Sequence, residues 1–233
     1  MKILVLHITL LFSLLAHGQL SLPHLQPLAY ESKNWGNALN FDGVASYGIG
    51  QIYPKDSILN FTIEFWIMNT GADSANDRIF DSYYNNALHL GKSTSSLSIL
   101  LTDLGNASGW QTVCTLEANK WVHIAVVRNA NTVTVYKNAA SVATYTVSAT
   151  NTLPSIFRFG SDINGAGNNG NFTMDEFRLW KIARTQANIQ STIFSTLDPT
   201  VSTGLICYYR FDQGIANGTN TTEKGLINSA IFN

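Results

Sequence analysis

The sequence predicts an all-β domain, and three observations carry that expectation. Strand-type alternation recurs along the chain with turn chemistry between the runs. Helical periodicity is confined to one short stretch. Charged residues are 12% of the 233 and hydrophobic residues 45%, so the core is sizeable and the polar surface rests on Asn, Ser, Thr and Gln. Many short strands with regularly spaced turns build a sandwich or a barrel. Roughly 200–250 residues is an ordinary length for one such domain.

The chain opens with Lys2, a nearly unbroken apolar run from Ile3 to Leu15, and Ala16-His17-Gly18. A positive start, an apolar segment and a small-x-small site make residues 1–18 a signal peptide. The expected location is therefore secreted or cell-surface. The run is shorter than the ~20 residues that span a bilayer, and no second run is longer, so no membrane insertion is expected after cleavage. Residues 19–34, with Pro23 and Pro27 and no clear period, read as a linker. The domain is expected over 35–233.

Within it, Phe61 to Ile67 places Phe61, Ile63, Phe65 and Ile67 on one face and Thr62, Glu64 and Trp66 on the other. Ser98 to Leu104 and Gln111 to Leu116 follow as strands. Trp121 to Arg128 and Thr132 to Lys137 flank Asn129-Ala130-Asn131 and read as a hairpin. Asn138-Ala139-Ala140 turns the chain into Val142 to Val147. Ile156 to Gly160, Phe172 to Trp180 and Gly204 to Phe211 complete the strand set. One short helix is expected near residues 185–194, with Thr185 as its N-cap. Periodicity alone does not choose between kinds of sandwich.

Four segments in order sharpen the fold. Ala38-Leu-Asn-Phe-Asp-Gly43, Phe61-Thr-Ile-Glu-Phe-Trp66, Trp121-Val-His-Ile-Ala-Val126 with Val133-Thr-Val-Tyr-Lys-Asn138, and Met174-Asp-Glu-Phe-Arg-Leu-Trp180 with Ala183-Arg184-Thr185 together resemble LamG-like domains of the concanavalin A-like lectin and glucanase superfamily. The resemblance covers roughly residues 35 to 195 and implies a two-sheet antiparallel jelly-roll sandwich. Gly204 to Gly214 resembles a strand that in many members precedes the opening one. Here it comes last, and it is expected to close the same sandwich near 204–211.

The superfamily includes glycoside hydrolases, which usually need two carboxyl groups flanking the scissile bond. Glu64 stands alone on its strand, and Asp175 and Glu176 are adjacent, so regular alternation sends them to opposite faces. Both glutamates are expected to be structural. His89 and His123 lack zinc-ligand spacing. Cys114 and Cys207 could pair in an oxidising compartment. The alternation of Cys207 with Tyr209 and Phe211 favours two core thiols instead.

Many members of the superfamily carry calcium, which takes hard oxygen ligands. Asp42 and Asp175 lie in two of the matched segments, and Asp162, Asn164, Asn168 and Asn169 lie in the Gly-rich stretch 160–170. Together they could hold Ca2+, with Asp42, Asp162, Asn164 and Asp175 as the metal set. Asp42-Gly43 and Asn164-Gly165 are also turn chemistry in their own right, and both readings stand. For a ligand, Tyr83, Tyr84, Asn106 and Trp110 fall in predicted loops, where aromatic and amide side chains can meet a sugar. Trp66, Trp121 and Trp180 are expected to be packed inside.

A net charge of −1 with no Lys/Arg run excludes binding through phosphate neutralisation, so no nucleic acid is expected. The favoured function is a secreted carbohydrate- or protein-binding module of adhesion type, without catalysis, whose partner is a glycan or an extracellular protein. A glycoside hydrolase and a structural spacer of a surface protein are the alternatives.

Overall fold

A computed structural model describes residues 36–52, 58–71, 77–82, 88–101, 109–148, 153, 156–164, 167–214 and 227–230. The signal-peptide and linker readings lie outside the described residues, as do Tyr83, Tyr84 and Asn106. The described residues belong to one unit, Trp35–Asn233. Among them no helix is long and apolar enough to cross a membrane.

Thirteen strands among the described residues form two antiparallel sheets. They are β1 (Leu39–Asp42), β2 (Gly48–Gln51), β3 (Phe61–Asn69), β4 (Asp77–Ser82), β5 (His89–Ser93), β6 (Ser96–Leu100), β7 (Trp110–Thr115), β8 (Trp121–Asn129), β9 (Thr132–Lys137), β10 (Ala140–Thr146), β11 (Ile156–Phe159), β12 (Asn171–Trp180) and β13 (Leu205–Tyr209). The seven-stranded sheet runs β1-β12-β3-β8-β9-β10, with β13 also on β12. The six-stranded sheet runs β2-β11-β4-β5-β6-β7. The inward residues of the two sheets interdigitate, as the alternation on β3 requires. Phe61, Ile63, Phe65 and Ile67 meet Phe80, Leu90, Leu97, Ile99, Phe157 and Phe159 in one core, all of them fully buried. Each such side chain contributes about 1.5–3 kcal/mol of burial. Phe177 links the sheets, with its ring 4.6 Å from Phe159 and 6.3 Å from Phe65.

The last strand shares an edge with the first. β1 pairs with the first half of β12, Leu39 opposite Met174 and Asp42 opposite Asn171. β13 pairs with the second half, Phe177 opposite Tyr209. Between these halves β12 carries one extra residue: Asp175 faces Trp66 and Arg178 faces Glu64, with two residues opposite the single Phe65. Glu176 has φ 51° there. This bulge corrects the expectation for Asp175 and Glu176. The extra residue breaks the period of two, so both project outward, where Glu176 accepts from Arg178 Nη2 at 2.7 Å and from the Tyr208 hydroxyl.

The helix, α1 (Gln186–Thr192), is capped as the sequence indicated. Thr185 Oγ1 accepts from Asn188 N–H, and the Asn188 side chain accepts from Thr185 N–H, each at 3.2 Å. The helix and the chain after it cover the outward face of β3 and β12 in the seven-stranded sheet. Trp66 Nε1 donates to Ile193 O at 3.1 Å, and Arg178 Nη1 to Thr192 O at 3.1 Å. Trp66 and Trp180 are buried in this second layer rather than in the main core, while Trp121 is half-buried. Cys114 and Cys207 are both free thiols.

Candidate functional site

The two outward sheet faces differ in access. On the seven-stranded sheet, Glu64 Oε1 accepts from Trp180 Nε1 at 2.9 Å and from Arg184 Nη1 at 2.6 Å, and Arg178 Nη1 lies 3.7 Å away. Arg184 also donates to Asn188 O and Thr192 Oγ1, each at 2.8 Å. This network ties α1 to the sheet. His123, on β8, is 1% exposed. Its burial, with Arg178 and Arg184 nearby, holds it neutral well below the ordinary histidine range. Burial, and then the neighbouring Glu176, pushes the Asp175 carboxyl up to about 8. Glu64, Asp175 and Glu176 are each 2% exposed or less. A glycosidic bond has no path to them in this arrangement.

The outward face of the six-stranded sheet is built differently. Strand register lines up Ile49 (β2), Arg158 (β11), Asp81 (β4), His89 (β5), Leu100 (β6) and Trp110 (β7) in one row. Alternation forces this, because Phe157, Phe159, Phe80, Leu90 and Ile99 take the inward positions beside them. Asp81 sits at the centre, 1% exposed. Its Oδ2 accepts from Arg78 Nε at 3.1 Å and from Ile163 N–H at 3.3 Å. Its Oδ1 stands 2.6 Å from His89 Nδ1. Asp81 therefore fixes Arg78 and His89 in place.

Aromatic rings stand at both ends of the row. The Arg158 guanidinium lies 4.4 Å from the Tyr47 ring centre, and Tyr47 is 54% exposed. At the other end Arg78 stacks on Trp110 at 4.7 Å, and the His89 ring is 6.3 Å from the same indole. Strands β4 and β7 are three places apart, about 14 Å at ordinary strand spacing. Arg78 and Trp110 together span that gap, because the row of Arg78 continues through Gly91, Ser98 and Thr112, which have short side chains.

Of the residues expected at a ligand site, Trp110 stands on this face, half-buried. Tyr83, Tyr84 and Asn106 lie outside the described residues. The strand ends that bound their segments, Ser82 with Leu88 and Leu101 with Gly109, sit beside the row at His89, Leu100 and Trp110. Sequence reasoning missed Tyr47, Arg78, Asp81, His89 and Arg158. A period-two reading of Asp77 to Ser82 would have shown charged residues flanking an apolar pair, but not which strands lay beside them.

The four expected metal ligands do not form one set. Asp42 Oδ1 accepts from Val44, Ala45 and Ser46 N–H at 2.9, 3.1 and 3.1 Å. These bonds, Val44 first, hold its carboxyl far below the usual range. The Asp42 turn does meet the 160–170 segment, through Asn169 Nδ2 to Val44 O at 2.6 Å, and Asn168 Nδ2 donates to Asp162 Oδ2 at 3.1 Å. Asn164 is exposed in the same segment. Asp175 is elsewhere: four positions along β12 from the Asp42 partner Asn171, roughly 13 Å, and buried. Among the described residues no three His, Cys, Asp or Glu side chains gather to hold a metal.

The fold and the paired segments agree with comparison to known proteins. The laminin G family model described as the concanavalin A-like lectin/glucanases superfamily matches residues 50–190. The chain belongs to this superfamily. Solved structures share its jelly roll at low identity. A Bacteroides ovatus protein, provisionally described as a carbohydrate binding protein, has TM-score 0.61 and 18% identity over 84% of this chain and 60% of its own. Trypanosoma rangeli sialidase bound to 2,3-difluorosialic acid gives TM-score 0.55 and 15% identity over 69% and 28%. The binding domain of botulinum neurotoxin DC in complex with SialylT gives TM-score 0.50 and 17% identity over 68% and 44%. The chain thus spans 60% of the first structure and less than half of the other two. No curated protein matches the sequence significantly. At these identities the likeness concerns the superfamily's lectin-like fold.

Proposed function

We propose that this chain is a secreted or cell-surface carbohydrate-binding module without catalytic activity, and that the outward face of its six-stranded sheet is the sugar platform. One observation carries the reading. Tyr47 and Trp110 bracket Arg158 and His89, with the buried Asp81 between them holding His89 in place, on a sheet face that no described helix covers. Sugars present apolar C–H faces to aromatic rings and hydroxyls to planar polar groups, and this row offers both. A site on packed strands is held to tight geometry without an ordering cost on binding. The neighbours described as carbohydrate-binding or holding sialic-acid compounds support the reading by fold. The signal-peptide pattern supports secretion.

The hydrolase alternative loses ground because the outward carboxylates of the other sheet, Glu64, Asp175 and Glu176, lie sealed. A glycan array followed by calorimetry tests the proposal. The expected result is saturable binding of at least one saccharide class, weakened by Trp110→Ala. An array without hits, together with capture of an extracellular protein that Trp110→Ala abolishes, would replace the glycan with a protein partner.

A further inference from the structure

Arg158 is charged, half-buried and oriented, yet no ion pair reaches it among the described residues. Its nearest acid in the sheet is its register partner Asp81. That carboxylate accepts from Arg78 Nε and Ile163 N–H, with His89 Nδ1 2.6 Å from its other oxygen. Arg158 instead sits over the Tyr47 ring and donates one bond, from Nη1 to Asp162 O at 3.3 Å. The ring contact and the single bond together hold the guanidinium in place. The rest of the fork has no hydrogen-bond partner among the described residues. Around it stand Val44, Tyr47 and Ile49, which are 74%, 54% and 53% exposed. An apolar rim beside an oriented, unneutralised guanidinium suits a ligand with a C–H face and a planar anion. Guanidinium pairs with carboxylate through two parallel N–H···O bonds, a geometry that a neutral hydroxyl does not reproduce.

We infer that Arg158 is the receptor for the carboxylate of an acidic sugar residue, with Tyr47 and Ile49 against its ring. The assignment rests on the sugar-platform reading above and narrows it to saccharides that carry a uronate or sialate. Arg158 and Trp110 then have separable roles: the first reads charge, and the second supplies contact area at the far end of the row.

The test uses calorimetry on the full chain with uronate- and sialate-bearing oligosaccharides, each paired with its carboxyl-reduced counterpart, plus a sulfated oligosaccharide. The wild type is expected to bind one acidic form at least about tenfold tighter than the reduced form, the scale of a charge-assisted hydrogen bond. Arg158→Gln should bring the two within about twofold, the same scale lost, and Arg158→Lys should recover only part of the preference because it keeps charge without the fork. Trp110→Ala should weaken both forms alike. Thermal melts of the Arg158 variants should overlay the wild type, since the residue lies outside the core. Equal binding of acidic and reduced forms would overturn the acid assignment while leaving the platform. A preference that survives in Arg158→Gln, or a sulfated sugar bound tighter than every carboxylate, would also overturn it. Failure of every saccharide to bind would remove the platform itself.

Discussion

On the outward face of the seven-stranded sheet, Glu64, Glu176, Arg178 and Arg184 are each less than a tenth exposed, roofed by α1 and the chain that follows. On the outward face of the six-stranded sheet, Arg158 and Trp110 are half-buried and Tyr47 is half in solvent. The same kinds of side chain do different work in the two places. Under the helix, Glu64 and Glu176 each hold an arginine, and the value of these pairs lies in fixing α1 to β3 and β12. On the other face the centre of the row is matched at Asp81 while one end, Arg158, is left over. A charge cluster becomes a candidate site where solvent can enter, not simply where charges are dense.

The largest effect should come from breaking the covered face. Glu64→Gln leaves Arg184 and Arg178 buried without their shared carboxylate. It should cost about 3–5 kcal/mol in urea unfolding, the usual range for a broken buried ion pair. Sugar affinity of the folded variant should be unchanged, because the site lies on the other sheet. Coupled loss of both properties would mean that the faces are not independent.

Asp175 provides the next test. Its folded value, about 8, lies above the ~3.9 of an exposed aspartate, so the folded state holds the proton more tightly. That contribution is complete below pH ~4 and disappears as pH rises towards 8. Asp175→Asn keeps an acceptor for Glu176 N–H, which Asp175 Oδ1 now serves at 2.8 Å, but cannot ionise. It should be more stable than wild type at pH 8, with the gain shrinking towards pH 4. A pH-independent difference would show that Asp175 does not titrate in this range.

On the open face, Trp110→Ala should weaken saccharide binding by about 1–3 kcal/mol, the range of an aromatic hot spot, with little change in melting temperature. The smallest effect concerns calcium. With Asp175 roughly 13 Å along the strand from Asn171 and Asp42 already accepting three backbone N–H groups, added calcium or chelator should leave the melting temperature unchanged. A clear rise with calcium would call for ligands outside this set.

Legibility in the sequence followed the same division. The seven-stranded sheet announced itself: β3, β8, β9 and β12 keep apolar side chains at alternate inward positions, and the hairpin turns at Ala130-Asn131 and Asn138-Ala139 use short residues with positive φ at Ala130, Asn138 and Ala139. The strands missed there and opposite were β2, β4 and β5, and all three belong to the sheet that carries the site. Gly48 and Gly50 take the positions opposite Phe159 and Phe157 on β2, and a Cβ on Gly50 would meet the Phe157 ring at 2.1 Å. On β4 a register shift between Arg78 and Phe80 places Ile79 and Phe80 in the core together. On β5 the position after inward Leu90 in the period is Lys92, whose Nζ donates to Gly71 O at 2.7 Å. Glycine, a bulge and an inward lysine each erase the period-two signal. The site residues were hidden for a related reason: Asp81 and His89 lie on the consecutive strands β4 and β5, Arg158 comes from the distant β11, and only pairing brings them into one row.

The most direct test is a backbone-amide and indole chemical-shift map of the labelled protein titrated with the tightest-binding oligosaccharide. Saturable shifts should centre on Tyr47, Ile49, Arg158, Asp81, His89 and the Trp110 indole, with α1 and β10 unmoved. Shifts centred on α1, or on the outward face of β8, β9 and β10, would contradict the assignment of sugar binding to the six-stranded sheet.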